Sequence, residues 1–101
     1  MLVEFSIIPI GKGESLSRYI AKIIDIVDKS GLPYKLTAMG TIVEGEWDDI
    51  MELIKECHFK MKEYSNRVYT KITIDDREGS KNRIEGKVRI IEEILGREVP
   101  K

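Results

Sequence analysis

The sequence contains few of the residues that most often carry catalysis or bind metal ions. Its 101 residues include one cysteine, Cys57, and one histidine, His58. A lone cysteine cannot form a disulfide within the chain, which is typical of a reducing compartment. The two residues are neighbours in a segment with helical spacing, where adjacent side chains point about 100° apart and cannot chelate one ion. We therefore predict no metal site, and an inert, buried Cys57.

The sequence also lacks a dominant charge and a long apolar run. Seventeen Lys and Arg residues stand against 18 Asp and Glu residues, which gives a net charge of −1. A general nucleic-acid binder usually carries a basic patch, and a membrane-spanning helix needs about 20 apolar residues. Residues 2–10 read as a strand that contains Glu4, not as a basic leader. We therefore expect a cytoplasmic protein whose partners are neither nucleic acid nor membrane.

The hydrophobic pattern predicts the element order β-α-β-β-α-β-α. Residues 2–10 alternate as a strand does, and residues 15–30 repeat with helical spacing. Ser15 is a candidate N-cap for this helix, and Gly31 and Pro33 end it. The later elements are strands at residues 34–38 and 41–46, a helical stripe from Trp47 to Met61, a strand at residues 67–75, and a helix that ends at Gly96.

This order predicts an α+β fold, a ferredoxin-like βαββαβ sandwich with an extra C-terminal helix. The handedness of the crossover connections then favours the antiparallel sheet order 4-1-3-2. Neither a linker nor a repeat interrupts the chain. We therefore predict that residues 1–101 form a single domain.

In such a sandwich two helices cover one face of the sheet and leave the other face open. The side chains expected there are Glu4, Ser6, Ile8, Lys35, Thr37, Met39, Ile42, Glu44, Tyr69, Lys71 and Thr73. The set mixes apolar groups with short polar ones, which suits sheet-on-sheet oligomerisation with pockets between subunits. The alternative is a half-polar surface that the third helix partly shields.

Two residues have alternative roles that the sequence leaves open. Glu44 lies on a strand between apolar neighbours. Its carboxylate either accepts hydrogen bonds from an amino-bearing ligand or forms a salt bridge at the rim with Lys71 or Arg67. Trp47, at a strand-to-helix junction, either caps the core or forms the wall of a pocket in which an aromatic ring stacks.

Five short motifs follow one another along the chain. They are SIIPIG at residues 6–11, SGLPY at 30–34, MGT at 39–41, EGEWD at 44–48 and RVYTKI at 67–72. In this order and spacing they resemble a family of small thiamine-binding proteins from archaea, bacteria and yeast. The resemblance implies a ferredoxin-like protomer, a homodimer or homotetramer, no established catalysis, and binding of thiamine or its hydroxymethylpyrimidine moiety by some members.

The resemblance also implies a set of ligand-binding residues. Those at or beside the motif positions are Ser6, Thr37, Met39, Thr41, Glu44, Trp47 and Arg67. Ser6, Thr37 and Glu44 are expected as polar contacts to an aminopyrimidine, and Met39 and Trp47 as walls. Thr41 alternates to the opposite face from Glu44, so it would contribute only at the strand end or have a structural role.

The resulting hypothesis is a non-enzymatic small-molecule-binding protein with no required cofactor. Its ligand would be thiamine or hydroxymethylpyrimidine, held at a subunit interface. One alternative is an interaction module whose open sheet face only mediates oligomerisation. The other is a cofactor-independent enzyme of ferredoxin-like fold, an argument from fold analogy alone.

Overall fold

The computed structural model describes residues 1–79 and 81–100, and it confirms the predicted order of elements. The strands are β1 (Leu2–Pro9), β2 (Tyr34–Thr37), β3 (Gly40–Glu44) and β4 (Val68–Asp75). The helices are α1 (Ser17–Lys29), α2 (Trp47–Lys62) and α3 (Arg83–Leu95). The antiparallel sheet has the order β2-β3-β1-β4, so the predicted ferredoxin-like α+β fold is confirmed.

Alternation along β1 separates the two faces of the sheet. Val3, Phe5 and Ile7 are buried toward the helices, whereas Glu4 is exposed on the opposite face. The core between the sheet and α1 and α2 is apolar, and burying such side chains is the main favourable term in folding. Its buried members are Val3, Phe5, Ile7, Tyr19, Ile23, Val27, Val43, Ile50, Leu53, Ile54, Cys57 and Met61.

The start of α1 differs from the expectation. Leu16, not Ser15, is the N-cap, and it makes no side-chain capping bond. The Leu16 carbonyl accepts hydrogen bonds from the amides of Tyr19 and Ile20, both at 3.0 Å, which closes the first turn without a hydroxyl cap. The end of the helix is as predicted, because Gly31 has a φ of 78°, in the left-handed region that glycine adopts without strain.

The third helix lies against β3 and β2 on the open face of the sheet. Ile84 and Val88 turn toward the sheet and are half-buried. Further along α3 the large apolar side chains are exposed: Ile90, Ile91, Ile94 and Leu95. Only the first half of the apolar surface of α3 is thus covered within one chain. No helix in the described ranges is long and apolar enough to cross a membrane.

Candidate functional site

The β2–β3 hairpin is closed by the hydroxyl of Thr37. Its Oγ1 accepts hydrogen bonds from the amides of Met39 (3.2 Å) and Gly40 (3.1 Å), and it donates one to the Gly40 carbonyl (2.8 Å). Ala38 and Met39 are not residues that favour a tight turn. The side chain of the last β2 residue therefore supplies the hydrogen bonds that a stronger turn sequence would have made unnecessary.

The tip of the hairpin is tied to β1 at Gly40 and Ser6. A Cβ on Gly40 would lie 2.9 Å from Ser6 Oγ and 3.2 Å from the Phe5 carbonyl oxygen, so a side chain does not fit there. Ser6 Oγ in turn donates to the Met39 carbonyl at 3.2 Å. These contacts fix the hairpin against the middle of β1.

A cavity of about 200 Å³ opens where β3 begins beside β1. Four of the predicted ligand-binding residues line it: Ser6, Thr37, Met39 and Thr41. Its other walls are mainly apolar side chains from β1, α1 and β2, namely Phe5, Ile7, Ile8, Ile20, Ile23, Ile24 and Leu36. We call this space the hairpin cavity.

A wider groove of about 800 Å³ adjoins the hairpin cavity between α1 and β2. The two spaces share Ile20, Ile24, Leu36, Thr37 and Ala38 as lining residues. Glu14 is the ionisable residue that lines the groove. A ligand with one part in the cavity and another in the groove would therefore meet neutral hydroxyls at one end and a carboxylate at the other.

Glu44 is engaged with the start of α3. Its Oε1 and Oε2 accept the amide of Arg83 at 2.9 and 3.0 Å, and Oε1 also accepts the amide of Ile84 at 3.3 Å. The helix has Asn82 at its N-cap with a left-handed φ of 55° and no side-chain capping bond. Glu44 therefore acts as a remote cap for the first free amides of α3. Within the described residues it pairs with neither Lys71 nor Arg67.

A second contact holds the same helix end. The Arg83 guanidinium donates to the carboxylate and to the carbonyl oxygen of Asp75, the last residue of β4. This hydrogen bond lowers the pKa of the Asp75 carboxyl below its ordinary value of 3.8 and raises the pKa of Arg83. The N-terminus of α3 is thus attached to β3 through Glu44 and to β4 through Asp75.

The remaining predicted residues lie away from the hairpin cavity. Glu44 pairs with Leu2 at the other end of β1, about 13 Å from Ser6 at 3.3 Å per residue. Trp47 begins α2 and is 53% exposed, so it does not cap the core. Arg67 is exposed, and its carbonyl accepts a hydrogen bond of 2.8 Å from the amide of Ile10, just beyond the end of β1. The structure therefore divides the predicted set between the two ends of the sheet.

The residues with the most reactive side chains are engaged in the fold. Burial raises the pKa of the Cys57 thiol to about 12, which fits the predicted inert thiol. His58 Nδ1 lies 2.6 Å from Thr70 Oγ1, a contact between α2 and β4. In the part of the chain that is described, no group of three or more His, Cys, Asp or Glu side chains could hold a metal ion.

Sequence reasoning missed several residues of the site. Leu36, Ile20 and Ile24 line the hairpin cavity, but their apolar character gave no reason to separate them from core residues. The sequence offered one signal at Leu36, which is a large apolar residue between the polar residues Lys35 and Thr37. In the structure these residues belong to β2, an edge strand of the sheet. The hydrogen bond between Glu44 and Arg83 joins residues 39 positions apart, and no pattern in the neighbouring sequence predicts it.

The fold and the hairpin cavity together define a ferredoxin-like α+β protein with a space of ligand size in each chain. The chain belongs to the thiamine-binding protein family, whose sequence model matches residues 3–92. It is 39% identical over 94 residues to the UPF0045 protein MJ1052 of Methanocaldococcus jannaschii, a match that covers 93% of this chain and 94% of the relative.

Solved structures show the same fold. A crystal structure of the hypothetical protein MJ1052 superposes with a TM-score of 0.83 at 40% identity, covering 91% of this chain and 95% of the other. The Thermotoga maritima protein TM0486, provisionally assigned to thiamine biosynthesis or salvage, gives a TM-score of 0.79 at 27% identity, covering 89% and 96%. The predicted family is thereby confirmed.

Proposed function

We propose that this protein is a non-enzymatic small-molecule-binding protein that takes thiamine or its hydroxymethylpyrimidine moiety in the hairpin cavity. The observation that carries the proposal is the meeting of Ser6, Thr37, Met39 and Thr41 around one space. These residues come from β1, β2, the hairpin turn and β3. Family membership supplies the class of ligand.

The size and the walls of the two spaces suit the two parts of thiamine. A cavity of 200 Å³ accommodates one substituted six-membered ring, since about 150 Å³ is enough for benzene. The adjoining groove has room for a second ring, and Glu14 there gives an attractive charge for a cationic thiazolium. Hydroxymethylpyrimidine alone would occupy only the hairpin cavity.

We further propose that a second copy of the chain closes the site, in a homodimer or homotetramer. Two residues that line the cavity are open to solvent in the single chain, Leu36 at 53% and Met39 at 84% exposure. The uncovered half of α3 adds apolar surface that a copy would bury. Contiguous exposed apolar patches usually mark a surface to which a partner binds.

The absence of catalysis is part of the same proposal and rests on the state of the candidate groups. Glu44, the one carboxylate among the predicted site residues, accepts hydrogen bonds from α3 amides through both of its oxygens. Cys57 is buried with a raised pKa, and His58 contacts Thr70. Among these groups, none points into the hairpin cavity. The cytoplasmic location remains a prediction from the sequence.

The proposal is tested by isothermal titration calorimetry with thiamine, hydroxymethylpyrimidine and an unrelated amine. We expect saturable binding of the first two compounds and none of the third. Ala38→Trp places a large side chain in the space shared by the cavity and the groove, and it should abolish binding. Thr73→Trp is the matched control, because Thr73 is exposed on β4 at a distance from the hairpin.

Three outcomes of this titration would contradict the proposal. Binding that survives Ala38→Trp and is lost in Thr73→Trp would move the site to the open face of the sheet. Turnover of either compound would make the protein an enzyme. No binding of either compound, with an oligomer that dissociates when Ile94 on α3 is replaced by Glu, would favour the interaction module, which the exposed residues of α3 make the second candidate.

A further inference from the structure

The backbone of Ile7 has no strand partner on one side. The Ile10 amide donates to the carbonyl of Arg67, which precedes β4, at 2.8 Å. The even-numbered residues of β1 therefore direct their main-chain hydrogen bonds toward β4. Gly45 donates its amide to Met1 at 3.0 Å, so the odd-numbered residues bond toward β3. Ile7 therefore points its N–H and C=O toward β3, whose pairing with β1 ends at Phe5 and Thr41.

Met39 occupies the position where the next ladder partner would be. Continuing the register from Phe5 and Thr41 by two residues places Ile7 opposite Met39. However, the Met39 amide donates to Thr37 Oγ1 at 3.2 Å, and the Met39 carbonyl accepts Ser6 Oγ at 3.2 Å. Both main-chain groups of Met39 are thus engaged by hydroxyls, and the ladder stops one pair short.

The polar groups that this leaves lie at the wall of the hairpin cavity. Ile7 lines the cavity and is only 3% exposed. No hydrogen bond to its N–H or C=O is found among residues 1–79 and 81–100. Buried main-chain groups are nearly always paired, so an unpaired donor and acceptor side by side in a cavity need a partner, which is either ordered water or a ligand.

We propose that the N–H and C=O of Ile7 read the 4-aminopyrimidine ring, with the N–H donating to the ring nitrogen and the C=O accepting from the exocyclic amine. The inference rests on the proposed function, because it names the atoms of that site that recognise the ring. A ring nitrogen beside an amine presents an acceptor and a donor together, as an opposing strand residue does. The ring would thus take the place of the missing ladder partner.

This arrangement gives Ser6 and Thr37 a different role from direct ligand contact. Their hydroxyls hold the carbonyl and the amide of Met39 away from Ile7, and so keep the recognition edge open. They are positioning residues for the site. Recognition by neutral main-chain groups also explains why the residues that line the hairpin cavity carry no charge.

The deciding experiment is nuclear magnetic resonance on ¹⁵N-labelled protein with ¹⁵N-labelled hydroxymethylpyrimidine. We expect a downfield shift of the Ile7 amide proton and a scalar coupling across the hydrogen bond between the Ile7 nitrogen and the ring nitrogen. Calorimetry on the same samples reports whether the compound binds. Binding with no shift and no coupling at Ile7 would refute the inference and leave the proposed function intact; no binding at all would refute both.

Ligand chemistry gives an independent test. The 4-oxo analogue of thiamine carries a carbonyl in place of the amine and a protonated ring nitrogen, so donor and acceptor are exchanged at fixed ring orientation. We expect it to bind at least tenfold more weakly than thiamine. Ser6→Ala, which releases the Met39 carbonyl to pair with Ile7, should weaken thiamine binding by a similar factor, whereas Thr73→Ala should not. Equal affinity for the two compounds would contradict a donor–acceptor reading of the ring.

Discussion

Replacing Glu44 by alanine should detach α3 without unfolding the rest of the protein. The carboxylate accepts hydrogen bonds from the amides of Arg83 and Ile84, and among residues 1–79 and 81–100 no other side chain caps this helix. Loss of a capping side chain costs about 0.5–2 kcal/mol. The lost charge at the positive end of the helix dipole adds about 0.3–1 kcal/mol. We take about 1–2 kcal/mol as the combined effect on the attachment of α3.

That free energy corresponds to a factor of about 5–30 in the population of detached helix. Because α3 contributes no buried residue, the core should remain intact and the loss should be local. Amide hydrogen exchange measures this directly. Exchange along α3 should accelerate about 5- to 30-fold in Glu44→Ala, whereas the core amides of β1 and α2 should keep the protection that they have in the unmodified protein.

Glu4→Ala is the control for this experiment. Glu4 is also a strand glutamate on the open face, but it is exposed and does not contact α3 in any hydrogen bond or ion pair of the described residues. Exchange in α3 should be unchanged in this variant. The capping role of Glu44 would be refuted by unchanged exchange in Glu44→Ala, or by an equal acceleration in both variants.

Three further perturbations test other parts of the structure. Gly40→Ala places a Cβ 2.9 Å from the Ser6 hydroxyl and should lower the free energy of unfolding, measured in urea, by about 1–3 kcal/mol. Gly86→Ala, whose Cβ would have nothing within 4 Å, should not lower it. Equal losses in the two variants would contradict the tight contact at Gly40. Burial raises the pKa of Cys57 from 9.0 to about 12, so at about pH 8 roughly a thousandfold less of it should be thiolate than of an exposed thiol. Cys57 should therefore react slowly with a thiol reagent, and a reaction as fast as that of free cysteine would contradict its burial. Asp75 has its pKa lowered by Arg83, so its stabilising contribution is present above the ordinary pKa of 3.8 and is lost as the pH falls through the lower folded value. The protection factors of α3, which correct for the slower intrinsic exchange at low pH, should therefore fall on acidification in that range, and Asp75→Asn should flatten the dependence.

The fold was predictable because its determinants are local and periodic. Alternation in β1 and helical spacing in α1 and α2 each require only a short window of sequence. Topology then followed from general rules about crossover connections. The error at Ser15 has a local cause too, since the Leu16 carbonyl closes the first turn of α1 by itself.

The candidate site was only partly predictable because its geometry depends on where the pairing between β1 and β3 stops. The hydroxyl groups of Ser6 and Thr37 were recognisable as polar residues near the hairpin, but their bonds to Met39 and Gly40 depend on the three-dimensional turn. The unpaired N–H and C=O of Ile7 are main-chain groups, and the identity of the side chain does not predict whether they are paired. Glu44 was expected to contact a ligand or to form a rim salt bridge, whereas the partner it meets is a helix end that only the folded chain brings near.

The position of β1 in the sheet has a consequence for how the chain folds during its synthesis. β1 precedes the other elements along this sequence, yet it pairs with β3 on one side and with β4 on the other, and Leu2 lies opposite Asp75. The middle of the sheet therefore joins segments that are far apart in the sequence, and its completion must wait until β4 has left the ribosome. Contacts of this range slow folding, because a long loop must close before they form. This central strand thus precedes both of its partners in the chain, and its pairing is completed last.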